Sequence, residues 1–239
     1  MRLDQSLFSK MTAEFIGTFA IVFSGCGAIM VAERFPGSLN AAAIPAIFGL
    51  IVTAMIYAVG HISGAHLNPA VTAAFAVARH FPVRQIPAYW LAQILGALAA
   101  TGMSTLLLPA GAGYGAAIPH VLVIQAFGWE ILLTFFLMFV VSAVATDTRA
   151  VGTMAGAAVG AAVTVCAYIG GPITGAALNP ARALAPALAE GRTDVLWIYL
   201  LGPTIGAIMA AKLYEWIRCH APAETIKEET KTEAAIGCC

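Results

Sequence analysis

The sequence predicts an all-α membrane protein: six transmembrane helices plus two re-entrant half-helices, arranged as an inverted repeat. Three observations lead there. Of the 239 residues, 60% are hydrophobic and only 10% charged, whereas a soluble domain carries about a quarter charged residues. Six apolar runs are each long enough for a helix to cross the roughly 30 Å of bilayer hydrocarbon. One unusual phrase is written twice, as SGAHLNPAVT at 63–72 and TGAALNPARA at 174–183.

The elements follow in chain order. Residues 1–10 (MRLDQSLFSK) are polar and form a short N-terminal segment. The apolar run behind them, 11–32, is too long for a secretory signal and has no evident cleavage site, so it is read as a retained first span. The next spans are 41–60, 84–108, 122–145, 152–171 and 195–217. Each must be helical, because lipid cannot satisfy open backbone groups. Their many Gly and Ala residues allow close helix packing. The tail, 218–239, is charged and reads as disordered.

With six spans both termini lie on one side. That side holds Arg2, Lys10, Arg79, Arg84, Arg149, Lys212, Arg218, Lys227 and Lys231, and the other only Arg34, Arg182 and Arg192. Basic loops stay cytoplasmic, so both termini are placed there. Cys26, Cys166, Cys219, Cys238 and Cys239 show no CxxC spacing, and neither a disulfide framework nor a metal or cofactor site is read. Cys26 and Cys166 sit in apolar runs as packing residues. Cys238 and Cys239 are read as a terminus without function, lipid attachment or arsenite binding being the alternatives. A net charge of zero and the lack of a basic run with aromatics exclude a nucleic-acid partner.

The membrane part, 11–217, divides into repeats of about 11–108 and 122–217. AEFIGTF at 13–19 matches WEILLTF at 129–135, aligning Glu14 with Glu130, and Asn68 lies 111 positions before Asn179. Three spans per repeat is an odd number, so the second repeat enters the membrane from the opposite face. Folds of this kind put their site at mid-membrane between the repeats.

The phrase supplies the chemistry. Asn is a strong N-cap and Pro suits the first helical position. Asn68-Pro69-Ala70 should therefore open a half-helix running to about 79, and Asn179-Pro180-Ala181 one running to about 190. Each is roughly 15 Å long at 1.5 Å per residue, or half a bilayer. Gly64, Gly170, Gly171 and Gly175 are read as permitting the re-entrant backbone. Two positive helix ends then meet, with two amide donors and Arg182 beside them, an arrangement that admits neutral hydroxylated molecules and repels cations.

With both NPA motifs, the paired glutamates and the Arg after the second NPA in hand, residues 5–217 resemble the aquaporins of the major intrinsic protein family. GHISGAHLNPAVT and VATDTRAVG look closest to the nodulin-like intrinsic proteins of plants and their bacterial relatives. The resemblance implies an aquaporin-like fold, a homotetramer in membrane lipid with a passive pore through each subunit, and a four-residue selectivity filter. Spacing from each NPA puts the filter at Phe48, Ala167, Ala176 and Arg182. Water-selective members usually have His where Ala167 stands. Glycerol facilitators usually have Trp, Gly and an aromatic, then Asp after the Arg, where this chain has Phe48, Ala167, Ala176 and Ala183. The nodulin-like branch conducts glycerol and neutral metalloid acids (arsenous, boric, silicic) besides water.

Other readings stand beside these. The two Asn could be helix caps alone, Arg182 an interfacial side chain, and Phe48 a packing residue. Glu14 and Glu130 could carry protons, but identical placement in both repeats favours acceptors for the re-entrant loops. His66 either lines the inner vestibule or packs. The expected function is a passive channel for water and small uncharged solutes, with a water-selective aquaporin or a glycerol facilitator as alternatives. A coupled secondary transporter is more remote, and a closed-pore structural protein is the third possibility. No nucleophile–base pair or metal set points to an enzyme. The short-looped, Ala-rich chain suggests a plasma membrane, specifically a bacterial inner membrane.

Overall fold

The computed structural model describes residues 6–40, 42–147, 150 and 152–218. Arg2, Arg149, Lys227, Lys231, Cys219, Cys238, Cys239 and the rest of the tail from 219 onward lie outside the described residues. Among those described, the helices in order are α1 (Leu7–Arg34), α2 (Ala43–Ser63), α3 (Pro69–Val77), α4 (Ile86–Leu107), α5 (Val123–Thr146), α6 (Ala155–Thr174), α7 (Pro180–Glu190) and α8 (Leu196–Ile217). Short 3-10 turns at Val83–Gln85 and Gly152–Met154 precede α4 and α6. All of these except the short α3 and α7 are long and apolar enough to span a membrane.

The main departure from expectation is at the ends of α2 and α6, which run on to Ser63 and Thr174. Gly170 and Gly171 are helical and do not form the re-entrant backbone; even Pro172 stays inside α6. A helical glycine costs about 1 kcal/mol relative to alanine, which is less than leaving backbone N–H groups unpaired at membrane depth. The helices stop one turn later, at Gly64 (φ 89°) and Gly175 (φ 80°), whose N–H groups close on Gly60 O and Gly171 O. Of the four glycines read as permitting the re-entrant backbone, only these two use their left-handed freedom to turn the chain.

The half-helices also end alike. Left-handed Arg79 and Gly191 each follow a last turn closed by a pair of reversed bonds, Arg79 N to Ala76 O with His80 N to Phe75 O, and Gly191 N to Leu188 O with Arg192 N to Ala187 O. This Schellman ending stops α3 at Val77, two residues short of the expected end.

Packing shows the inverted repeat directly. The α1–α4 pair is mirrored by α5–α8, α2 crosses α6, and each half-helix rests on the last span of the other repeat, α3 on α8 and α7 on α4. At the α2–α6 crossing, a Cβ on Gly49 would overlap Gly160 O and Thr164, and one on Gly160 would overlap Thr53 and meet Gly49 O. Gly49→Leu is therefore expected to destabilise by about 1–3 kcal/mol through overpacking. The check is a thermal melt in detergent against Gly102→Leu, whose Cβ meets nothing within 4 Å and should be neutral.

Candidate functional site

The two phrases meet tip to tip. Asn68 (φ −157°) and Asn179 (φ −146°) are the N-caps, and their Oδ1 atoms accept from Ala70 N and Ala181 N, each at 2.9 Å. That fixes which way each amide faces. Asn68 Nδ2 donates to Leu178 O and Asn179 Nδ2 to Leu67 O, both at 2.8 Å, so each repeat ties down the other's loop. An amide nitrogen carries two N–H groups. One is used across the repeat and the second remains for whatever passes, since both Asn line the central cavity.

The loops before the caps are held in an uncommon backbone. Ala65 (φ 47°) and Leu67 (φ 53°) are left-handed, and so are Ala176 (φ 43°) and Leu178 (φ 51°), each pair 111 positions from the other. Side chains with a Cβ rarely adopt this region, and it persists where surroundings over-determine it. The surroundings here are the two glutamates, both fully buried. Glu14 accepts from Ser63 Oγ (2.7 Å), His66 N (2.9 Å), Leu67 N (2.6 Å) and Gln93 Nε2 (2.8 Å). Glu130 accepts from Thr174 Oγ1 (2.6 Å), Ala177 N (3.0 Å) and Leu178 N (3.0 Å). These bonds tie each glutamate to the loop of its own repeat.

The last carbonyls of α2 and α6 find partners on other helices. Tyr89 Oη donates to Ser63 O and Tyr199 Oη to Thr174 O, each at 2.7 Å. This tyrosine pair, 110 positions apart, escaped the sequence reading. So did Gln93, which donates to both Glu14 and Thr72 Oγ1 (3.0 Å). His66 is read from sequence as either lining the vestibule or packing. It lines the cavity, and its ring packs among Phe75, Phe81 and Tyr89 with Nδ1 3.1 Å from Thr72 Oγ1.

One cavity of about 490 Å³ runs past both Asn caps. Phe48, Ala167, Ala176 and Arg182 all line it, with the Arg182 guanidinium 5.4 Å from the centre of the Phe48 ring. That is cation–π range. Arg182 is 1% exposed, yet among the described residues no group accepts a hydrogen bond from its Nε, Nη1 or Nη2. A buried guanidinium without a hydrogen-bond acceptor demands an explanation, and its place in the cavity wall leaves its five N–H donors available to a polar solute there.

Beyond the Asn pair the cavity is lined by Val159, Ile56, Ala65 and Val71. These are the repeat mates of Phe48, Ala167, Ala176 and Arg182, each 111 positions away. The half of the cavity on the Arg182 side thus bears an aromatic ring and a guanidinium, and the other half only aliphatic side chains at the same stations. Applying the 111-residue shift to the filter would have found this second ring from sequence.

The comparisons agree with the geometry. The family model described as Major intrinsic protein matches residues 3–214. Among curated relatives, Nodulin-26 of Glycine max is 46% identical over 210 residues, covering 87% of this chain and 78% of that protein. Aquaporin NIP1-1 of Zea mays is 45% identical over 234 residues, covering 96% and 82%. Among solved structures, the aquaglyceroporin from Plasmodium falciparum superimposes with a TM-score of 0.80 at 27% identity, over 89% of this chain and 97% of that one. These plant relatives lend no support to a bacterial inner membrane. With a family model over nearly all of the membrane part and relatives near half identical, the chain belongs to the major intrinsic protein family, the integral membrane channels for water and small neutral solutes, and is no enzyme.

Proposed function

We propose that residues 11–217 form a passive channel passing glycerol-like polyols and neutral metalloid acids (arsenous, boric or silicic acid) as well as water. Phe48, Ala167, Ala176 and Arg182 act as its selectivity filter, and Asn68 and Asn179 as its central donors. The observation carrying this reading is the buried, unpartnered Arg182 guanidinium facing the cavity beside the Phe48 ring. A polyol or an oxyacid M(OH)n presents hydroxyl oxygens to Arg182 and an apolar or weakly hydrated edge to Phe48. Ala167 and Ala176 leave the other two sides open. Past the filter the Asn amides donate to the same oxygens, and the Ile56–Val71–Val159 wall offers side chains that bind nothing, so the solute moves on. The name of the Plasmodium neighbour, an aquaglyceroporin, and those of the NIP aquaporins fit a filter of this breadth.

A homotetramer in a plasma membrane, with both termini cytoplasmic, completes the proposal. The orientation is supported by the basic bias; on that same face a cluster joins the ends of α3, α5 and α8, where His80 Nε2 lies 2.7 Å from Glu215 Oε1, Arg218 Nη2 lies 2.8 Å from Glu215 Oε2, and Arg218 Nη1 lies 3.5 Å from Thr146 O. The test is stopped-flow light scattering on proteoliposomes with water, then glycerol, then boric acid, against empty vesicles. Equal rates with and without protein would overturn the channel, and solute accumulation that requires an ion gradient would overturn its passivity. Ala167→His should narrow the filter and cut glycerol flux about tenfold or more, the scale of steric discrimination in a fitted pocket, while water falls less. Equal loss of both would remove Ala167 from the filter.

A further inference from the structure

We propose that Gly25 of α1 is the seat of the Phe48 ring and so sets the width of the filter: a positioning residue for selectivity on a helix that contributes no side chain to the filter itself. The inference rests on the channel reading above. Gly25 is buried at the level of the filter. A Cβ built on it would overlap three atoms of the Phe48 ring, Cδ1, Cε1 and Cζ. That ring also packs against two buried clusters, the small one of Val22, Cys26, Ala97, Ala100, Ala181 and Ala185 and the larger one that contains Ile21, Val52 and Ala167, and it borders the cavity. Carbon atoms sit comfortably at 3.5–4.0 Å, so a methyl group at position 25 forces the ring to yield by about 1 Å or more. Close packing behind it leaves the open side, the lumen with Arg182, as the direction of retreat.

The second repeat provides an internal control. On α5 the mate of Gly25 is Val141, 116 positions on, as Glu130 is from Glu14; on α6 the mate of Phe48 is Val159. Both valines line the half of the cavity away from Arg182 and belong to one buried cluster. Where the second helix carries a small aliphatic side chain, the first helix carries one too. Where it carries a phenyl ring, the first helix carries none. The glycine therefore goes with the ring it accommodates, not with a need for close backbone packing common to both repeats. Two residues on, Gly27 faces only Ser104 Oγ, 3.8 Å from its would-be Cβ, an ordinary contact.

The test measures water and glycerol permeability in proteoliposomes, per amount of folded protein, for the parent chain, Gly25→Ala, Gly27→Ala, Phe48→Leu and the Gly25→Ala/Phe48→Leu double variant. Gly25→Ala is expected to lower glycerol flux about tenfold or more, the scale of one added methyl in a fitted pocket, and water flux less. Gly27→Ala should match the parent. Phe48→Leu removes the group that must move, so the double variant should conduct glycerol like Phe48→Leu alone. An unchanged glycerol-to-water ratio in Gly25→Ala would overturn the proposal. If Gly25→Ala fails to accumulate, recovery of protein and flux in the double variant supports the seat, and failure of the double variant overturns it in favour of helix packing. A parent chain no faster than empty vesicles would sink the channel reading instead, a result distinguishable from either.

Discussion

Glu130→Leu is expected to silence both water and glycerol flux and to lower the melting temperature in detergent. The substitution leaves Thr174 Oγ1 and the N–H groups of Ala177 and Leu178 buried without an acceptor. Each orphaned donor costs about 1–3 kcal/mol, so the three together approach the whole net stability of a typical domain, about 5–15 kcal/mol. The same bonds hold Ala176 and Leu178 in left-handed backbone, so the loop relaxes once they go. Leu178 O then no longer faces Asn68 Nδ2, and the damage crosses to the first repeat. Glu130→Gln keeps one acceptor oxygen but turns an NH2 group toward a backbone N–H. It should conduct at a reduced rate and melt between the parent and Glu130→Leu. A proton carrier would show the reverse pattern: Gln would remove proton-linked transport while leaving stability intact. Stopped-flow rates and thermal melts of the three proteins decide between the two roles, and parental melting and flux in Glu130→Leu would overturn the scaffold.

What could be read from the sequence was whatever repeats or caps locally. The spans show as length and hydropathy, and Asn-Pro announces a helix start at 68 and again at 179 without any tertiary information. The filter required family spacing, because nothing in the residues around Phe48 separates it from other aromatics of apolar helices. Gly170 and Gly171 misled because glycine next to a turn looks like part of the turn, whereas the α6 backbone is decided by the lack of water to bond with at that depth. Tyr89, Tyr199 and Gln93 were invisible for a different reason. Their partners Ser63, Thr174, Glu14 and Thr72 lie on other elements, and one sequence does not tell which hydroxyl or amide of a span faces inward.

The repeat also shows how one scaffold gains direction. The mates of His66, Thr72 and Gln93 are Ala177, Ala183 and Pro203, so the first loop carries a polar network that the second lacks. The mate of Arg182 is Val71, so the charge sits on one half of the cavity alone. Backbone, caps and glutamates keep the symmetry that the fold needs, and the side chains facing the lumen break it. One half of the cavity therefore carries the guanidinium and the Phe48 ring, and the other carries their aliphatic mates together with His66.

Arg182→Ala is expected to let cations and protons leak while making the pore more permissive to larger polyols. A unit charge met at about 4 Å with an effective dielectric constant near 20 opposes a cation by about 4 kcal/mol, and each 1.36 kcal/mol is a factor of ten in rate, so leak could rise by up to about three orders of magnitude. It will not rise without limit, because the N-termini of α3 and α7 still aim at the lumen with about half a positive charge each. Arg182→Lys retains the charge but loses the planar fork and its stacking on Phe48, so it should keep cations out while altering the glycerol-to-water ratio. Stability separates this filter role from a structural one. Since no described residue accepts a hydrogen bond from the guanidinium, its ties to the fold are the contact with the Phe48 ring and the longer-range attraction of buried Glu130, and the melting temperature should stay close to the parent's. A residue that held helices together would instead show a fall in melting temperature. The measurement is a pH-sensitive dye inside proteoliposomes under an imposed membrane potential, run beside the melt. Proton tightness equal to the parent's would move the barrier from Arg182 to the paired helix ends.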